Sequence, residues 1–180
     1  MLEDKLLIWK LKCGNRDALR LLYEKYKDNL RTIACSLLHD THTAEDVLHD
    51  VFVVFAENAR QLQIRTSLKN YLTTCVINRV HDEFRRMPKR MIEPDKAGTI
   101  SSDSYCPEGR IIADENSQVV ANALAEIPLE QREVIVLHLT GKLKFKEIAR
   151  MQQTSISTVH GRYRYGLMKL SKILDGELEK

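Results

Sequence analysis

Residues 144–174 read KFKEIARMQQTSISTVHGRYRYGLMKLSKIL. A short amphipathic run, FKEIARM, is followed by a polar break, QQTS, and then by a longer run in which Val159, Tyr163, Leu167, Leu170 and Leu174 recur at spacings of three and four. That spacing lines one face of an α-helix. Two such helices across a short polar break predict a helix-turn-helix. Ile148 and Ala149 are expected to face the second helix, and Ser155 to cap it, which turns its first residues outward. Ser157, Thr158, His160 and Gly161 can then meet base edges in a major groove. Arg162 and Arg164, with the flanking Lys142, Lys144 and Lys146, suit phosphates, which call for positive charge and carry no sequence information. The same pattern fits a plain helical hairpin with a solvated basic face.

The rest of the 180-residue chain sharpens this choice. Overall charge is mild, 28 basic against 25 acidic residues for a net +3, but its placement is not. Between Lys142 and Lys172 eight basic residues face Glu147 alone, and between Arg60 and Arg90 eight face only Asp82 and Glu83. Between Thr32 and Ala59 there is no Lys or Arg, while Asp40, Glu45, Asp46, Asp50 and Glu57 are all acidic. An acidic helix can dock on a basic protein surface, and a basic one can follow a nucleic-acid backbone. Ordinary charge segregation gives the same pattern. Tyr71 is available to stack on an unpaired base, but it falls on an apolar stripe, where core packing is its expected job.

Proline is absent before Pro88 and glycine is absent between Gly14 and Gly98, so helices run there with only polar turns to end them. Leu19, Leu22, Tyr26, Leu30, Ile33 and Leu37 predict one helix, ending near the HDTHT segment at His39 to Thr43. Thr43 reads as the N-cap of the next, with Glu45 and Asp46 in its first turn. Ala44, Val47, Leu48, Val51, Phe52 and Phe55 form its apolar stripe. Leu68, Tyr71, Leu72, Cys75, Val76 and Val80 form another, running into Arg85 and Arg86.

From Met87 to Ala113 the periodicity dissolves into a stretch with Pro88, Pro94, Gly98, Pro107 and Gly109. It reads as a flexible linker with a reach of roughly 90 Å extended and about 30 Å as a coil. A second helical region begins near Asp114. Val119 to Ile127 stops at Pro128, and Glu130 to Leu139 follows, although VIVLHL alone could pass for a strand. The expected fold is all-α: a domain over 1–86, a linker over 87–113, and a helix-turn-helix domain over 114–180.

Several function classes are disfavoured. There is no signal-peptide pattern and no apolar run of about 18 residues, so a cytoplasmic protein without membrane insertion is expected. Cys13, Cys35, Cys75 and Cys106 lack paired spacing, which predicts buried free thiols. Cys35, His39 and His42 lie at helical spacing, and His42, Asp46 and His49 share the next face, but no second ligand motif completes a bundle metal site. Neither a phosphate loop nor a nucleophile elbow can be read. No enzyme activity, cofactor or metal is expected.

Three segments carry a resemblance. AEDVLHDVFVVFAEN (Ala44–Asn58), SLKNYLTTCVINRVHDEFRR (Ser67–Arg86) and LAEIPLEQREVIVLHLTGKLKFKEIARMQQTSISTVHGRYRYGLMKL (Leu124–Leu170) together resemble bacterial RNA polymerase sigma factors of the extracytoplasmic-function group, in the family's order and spacing. The resemblance implies a specificity subunit that binds core RNA polymerase, recognises a bipartite promoter, opens the DNA and starts transcription. It assigns polymerase docking to Asp46 and Asp50, with Glu45 nearby. It assigns a flipped-base pocket in the minus-ten element to the loop from Gln61 through Gln63 and Arg65 to Ser67. Lys69, Tyr71, Asn78, Arg79, Asp82, Arg85 and Arg86 support that pocket. It gives duplex reading of the minus-thirty-five element to the helix after Ser155, with Lys144, Ser155, Ser157, Thr158, His160, Arg162 and Arg164. Partners implied are core polymerase, promoter DNA as duplex and melted strand, and an anti-sigma protein.

The chain departs from the family pattern at Gln153, where a glycine is usual, which predicts a strained or reshaped turn. Gly161 replaces a polar residue in the recognition helix, Tyr71 stands where tryptophan is common, and QLQIRTS lacks the usual phenylalanine and glycine. Neutralising Arg162 is expected to lower DNA affinity broadly, whereas changing Ser157 or Thr158 shifts sequence preference. The alternative to this reading is a helix-turn-helix regulator that binds an operator independently of polymerase.

Overall fold

The computed structural model of the chain describes residues 2–64, 67–86 and 114–178. Among them the regular structure is helical throughout: α1 (Leu2–Lys12), α2 (Arg16–Leu38), α3 (Thr41–Glu57), α4 (Leu68–Arg86), α5 (Asp114–Ala125), α6 (Leu129–Leu139), α7 (Phe145–Met151) and α8 (Ile156–Leu178), with a 3-10 turn at Ala59–Gln61. The described residues group into two units, one of 2–34 with 42–86 and the other of 35–41 with 114–178. The expected linker, 87–113, lies outside the described residues.

In the first unit, the apolar stripe of α3 is buried as its spacing requires, from Ala44 to Phe55. Leu22, Tyr26, Leu30 and Ile33 of α2 and Leu68, Leu72, Val76 and Val80 of α4 are buried too, while Tyr71 and Cys75 are only half-buried. Phe52 meets the edge of Tyr23 with ring centroids 4.9 Å apart. Phe55 and Leu72 lose nearly all contact with water, so truncating either to alanine costs about 3–5 or 2–5 kcal/mol.

The start of α3 differs from expectation. The helix begins at Thr41, two residues before the expected cap Thr43. His39 closes α2 in the left-handed region (φ 55) with its N–H on the Cys35 carbonyl, so the chain re-enters helix almost at once. The thiols differ as well: Cys13 is exposed, Cys35 and Cys75 are half-buried, and these three form no disulfide. Cys106 lies outside the described residues.

Helix α1 has no counterpart in the sequence expectations. Its two ends are fastened by different devices. At the start, the Lys25 ammonium donates to Glu3 (2.5 Å) and Asp4 (2.8 Å); burial and then the Asp4 charge push the neighbouring Tyr26 phenol up to about 12. At the end, Gly14 takes φ +87, a conformation glycine adopts without steric cost. The Asn15 side chain then caps α2 by accepting from the Ala18 N–H at 3.1 Å.

In the second unit, α8 packs across α5, α6 and α7. Tyr163, Leu167, Leu170 and Ile173 lie against a core of Leu124, Ile127 and Ile135. The strand-like VIVL run is helix because α6 is wrapped by its neighbours, leaving Val134 through Leu137 all buried. The approach of α8 to α6 depends on Gly166, where a Cβ would stand 2.8 Å from Ile135 Cδ1 and 3.2 Å from Gln131 Cβ. Buried Arg132 donates to the carbonyls of Ala125 (2.8 Å), Ile127 (3.1 Å) and Leu37 (2.9 Å), and meets His39 Nε2 at 2.7 Å. Burial lowers the Arg132 pKa to about 10. Burial, and then the Arg132 charge, lower that of His39 to about 4, so the imidazole is neutral and Nε2 accepts.

Candidate nucleic-acid interface

Helix α7 begins where the Glu147 carboxylate accepts from the Lys144 backbone N–H at 2.8 Å. It ends in a tight turn: Gln153 takes φ 51 and the Thr154 N–H returns to the Ala149 carbonyl at 2.9 Å. Gln153, at the position where a glycine is usual, is thus held in the left-handed region. Ser155 then accepts from the Thr158 N–H at 3.0 Å, which is the expected cap. Ile148, Ala149 and Val159 are buried between the two helices.

This leaves Ser155, Ser157, Thr158, His160 and Arg164 exposed on the first two and a half turns of α8, with Lys142, Lys144 and Lys146 exposed nearby. Ser157, His160, Gly161, Tyr163 and Arg164 line an open depression, and a Cβ at Gly161 would meet nothing within 4 Å. Phe145 props the face from beneath. His138 stacks on it at 4.2 Å and His160 tilts against it at 4.4 Å. The His138 Nδ1–H donates to the Leu143 carbonyl at 2.9 Å, which fixes the His138 ring.

Arg162 is differently placed. Its guanidinium donates to Gln152 Oε1 at 2.8 Å and to Glu130 Oε2 at 2.9 Å, and its side chain is only 24% exposed. It ties α8 to the end of α7 and the first turn of α6. Arg164, by contrast, lies over the Tyr165 ring at 5.0 Å on the open surface.

In the first unit, Gln61 and Gln63 are exposed on the loop after the 3-10 turn. Ser67 caps α4 by accepting from the Asn70 N–H at 3.2 Å. Arg65 lies outside the described residues. Along α4, Lys69 is half-buried and Asn78 exposed. Tyr71 tilts against Phe55 at 6.2 Å, and burial, then Cys75, raise its phenol pKa. Asp82 pairs with Arg85 at 3.3 Å, and Arg86 pairs with Glu83 at 2.9 Å.

On α3, Asp46 is exposed and Glu45 reaches Arg31 at 3.7 Å. Asp50 forms an ion pair with Arg79 of α4. Two residues expected to serve different partners therefore hold each other. Sequence reasoning missed Val53 and Val54, which are 40% and 52% exposed and share the Asp46–Asp50 face by helical spacing. Their signal was available, since both fall outside the buried stripe. Among the described residues, no group of three His, Cys, Asp or Glu side chains is placed to hold a metal ion, and no helix is long and apolar enough to cross a membrane.

A capped, outward-facing helix in a basic helix-turn-helix, on an all-helical chain with a separate acidic and basic helix pair, defines a DNA-binding transcription factor. The sigma-70 region 2 family matches residues 22–90 and the sigma-70 region 4 family matches residues 117–170. The extracytoplasmic-function sigma factor SigW of Bacillus subtilis (strain 168) is 26% identical over 176 residues, covering 93% of this chain and 94% of that protein. The structure of CnrH in complex with the cytosolic domain of CnrY superposes with a TM-score of 0.70 at 22% identity, over 97% of this chain and 98% of that one. The sigma factor RpoE of Bartonella quintana, in complex with the anti-sigma factor NepR, gives a TM-score of 0.71 at 20% identity, over 87% and 96%. The chain belongs to the extracytoplasmic-function group of RNA polymerase sigma factors. It acts in transcription initiation directed by RNA polymerase; sigma factors in general are DNA-binding initiation factors and not enzymes.

Proposed function

We propose that the chain binds core polymerase through α3, captures a melted strand of the minus-ten element with the 61–67 loop and α4, and reads the minus-thirty-five element as duplex with the first turns of α8. The observation that carries this reading is the exposed start of α8: Ser155 accepts from the Thr158 N–H, one of the orphan backbone donors, and lies 2.9 Å from the Thr158 hydroxyl, while Ser157, Thr158 and His160 are exposed where base edges would lie, with Lys144 and Arg164 exposed nearby. Arg162 supports that face from behind through Glu130 and Gln152. Opening DNA requires extruding a base, which costs a few kcal/mol and is offset only by a pocket that binds the extruded form. Asp46 and Asp50, with Val53 and Val54 beside them, offer a cationic protein surface both charge and apolar contact. Control by an anti-sigma protein is part of the proposal, by analogy with CnrH and RpoE.

The test is transcription in vitro from fragmented genomic DNA with core polymerase, with and without the chain, mapping the start sites. New starts sharing two spaced upstream motifs are expected. No new starts, with no co-elution of the chain with core polymerase, overturn the proposal and favour an operator-binding regulator. Reversing charge at Asp46 and Asp50 should weaken polymerase binding while leaving binding to minus-thirty-five duplex intact.

A further inference from the structure

Helix α1 is in no assigned interface, yet it touches the loop that the proposed function relies on. The Lys12 ammonium, half-buried in the last turn of α1, donates to the Leu62 carbonyl at 2.7 Å, fifty residues away in sequence. Leu62 is where the chain leaves the 3-10 turn: its N–H still reaches the Ala59 carbonyl at 3.3 Å, its backbone has turned extended (φ −63, ψ 120), and its side chain is buried. Gln63 follows, exposed. The far end of the loop is fixed by Ser67, which caps α4.

From these contacts we infer that Lys12 is a positioning residue for base capture, holding the backbone at Leu62 so that the neighbouring Gln63 meets an extruded base in one conformation. The inference rests on the base-capture reading proposed above. A hydrogen bond from an ammonium is stronger than one from a neutral donor and, partly shielded from water, keeps more of its strength. It can act as an anchor only if α1 is itself fixed. The Lys25 pairs at the start of α1, the turn at Gly14 and the buried Leu7 and Leu11 fix it. A backbone anchored beside Gln63 loses less freedom there on binding, so removing the anchor weakens capture without removing any group that touches the base.

The experiment uses full-length chain assembled with core polymerase and a fluorescein-labelled single strand of about twelve nucleotides, the non-template strand of a promoter mapped as above. Matched strands carry one abasic position each. Lys12→Met keeps the apolar stem and removes the donor; Lys12→Arg restores a cationic donor. The expected result is about fivefold weaker binding of the intact strand by K12M and recovery to within about twofold by K12R. The loss should vanish on the strand that is abasic at the captured position. Duplex binding to the minus-thirty-five element should be unchanged, as should the salt slope, which would fall by about 0.7 if Lys12 touched a phosphate of the strand directly; the melting temperature should fall slightly in K12M and recover in K12R, as loss and return of the Leu62 hydrogen bond require.

Wild-type affinity in K12M, failure of K12R to recover, an equal loss on every abasic strand, or a reduced salt slope would each overturn the inference. If wild-type holoenzyme does not distinguish any abasic strand from the intact one, base capture itself falls and takes this inference with it. That failure shows in the wild type before any variant is made.

Discussion

Arg162→Ala separates two jobs that a basic residue on a recognition helix can perform. The side chain is three-quarters buried and both terminal nitrogens are engaged, on Gln152 at 2.8 Å and Glu130 at 2.9 Å. A pair with a well-exposed carboxylate contributes about 0.2–1 kcal/mol and the amide hydrogen bond about 1 kcal/mol, so the variant should lose about 1–2 kcal/mol. In a chain of this length each kcal/mol shifts the melting temperature by about 2–4 °C. On duplex DNA, each phosphate neutralised contributes about 0.9 to the slope of log K against log salt. Arg164→Ala should lower that slope by nearly this amount, because Arg164 is exposed. Arg162→Ala should lower it by less than half as much, because a phosphate must first displace Glu130. Anisotropy titrations on a minus-thirty-five duplex at four salt concentrations, beside thermal melts of each variant, measure both quantities. If Arg162→Ala leaves the melting temperature alone and cuts the slope as deeply as Arg164→Ala, the internal tie is not what holds Arg162, and the simpler expectation from sequence is restored.

Gln153→Gly should raise the unfolding free energy by about 0.5–1 kcal/mol, read as a higher urea midpoint, since φ 51 burdens a side chain but not glycine; an unchanged midpoint would mean the turn relaxes freely. The two helical glycines of α8 should respond oppositely. Gly161→Ala has open space and should stabilise by up to about 1 kcal/mol, whereas Gly166→Ala, pressed against Ile135, should cost about 1–3 kcal/mol, both read by urea unfolding. Because the His39 pKa falls to about 4 in the fold against about 6.5 when unfolded, the unfolded chain takes the proton first. Stability is therefore full above about pH 6.5 and lost as pH falls toward 4, and His39→Asn, which tolerates the left-handed backbone, should flatten that dependence. A flat wild-type profile would contradict it.

The stripes at Ala44–Phe55 and at Val159–Leu170 were legible because each helix has one dry face, and a dry face of an α-helix has a fixed period. Helix α6 was ambiguous for the opposite reason: with Val134 through Leu137 all buried, no period remains to separate helix from strand. Helix α1 went unread because Leu6 and Trp9 are exposed among its apolar residues, which blurs its stripe. The candidate site shows the same divide. Residue types at the start of α8 announced an exposed polar face, but nothing local told that Arg162 is occupied by Glu130, thirty-two positions earlier. Lys12 carries no local signal either. Its partner is a backbone carbonyl, which has no letter in the sequence.

The ion pair between Asp50 and Arg79 makes the acidic and basic helices of the first unit thermodynamic accomplices. A cation arriving at Asp50 and an anion arriving at Arg79 must each part the same two groups. Whichever comes first bears the separation and the second is spared it. By linkage each then improves the other's affinity by an equal factor, with no movement of the backbone. Under the proposed division of labour, Asp50→Asn would erase that mutual help, and strand affinity at α4 would no longer depend on whether a partner occupies α3.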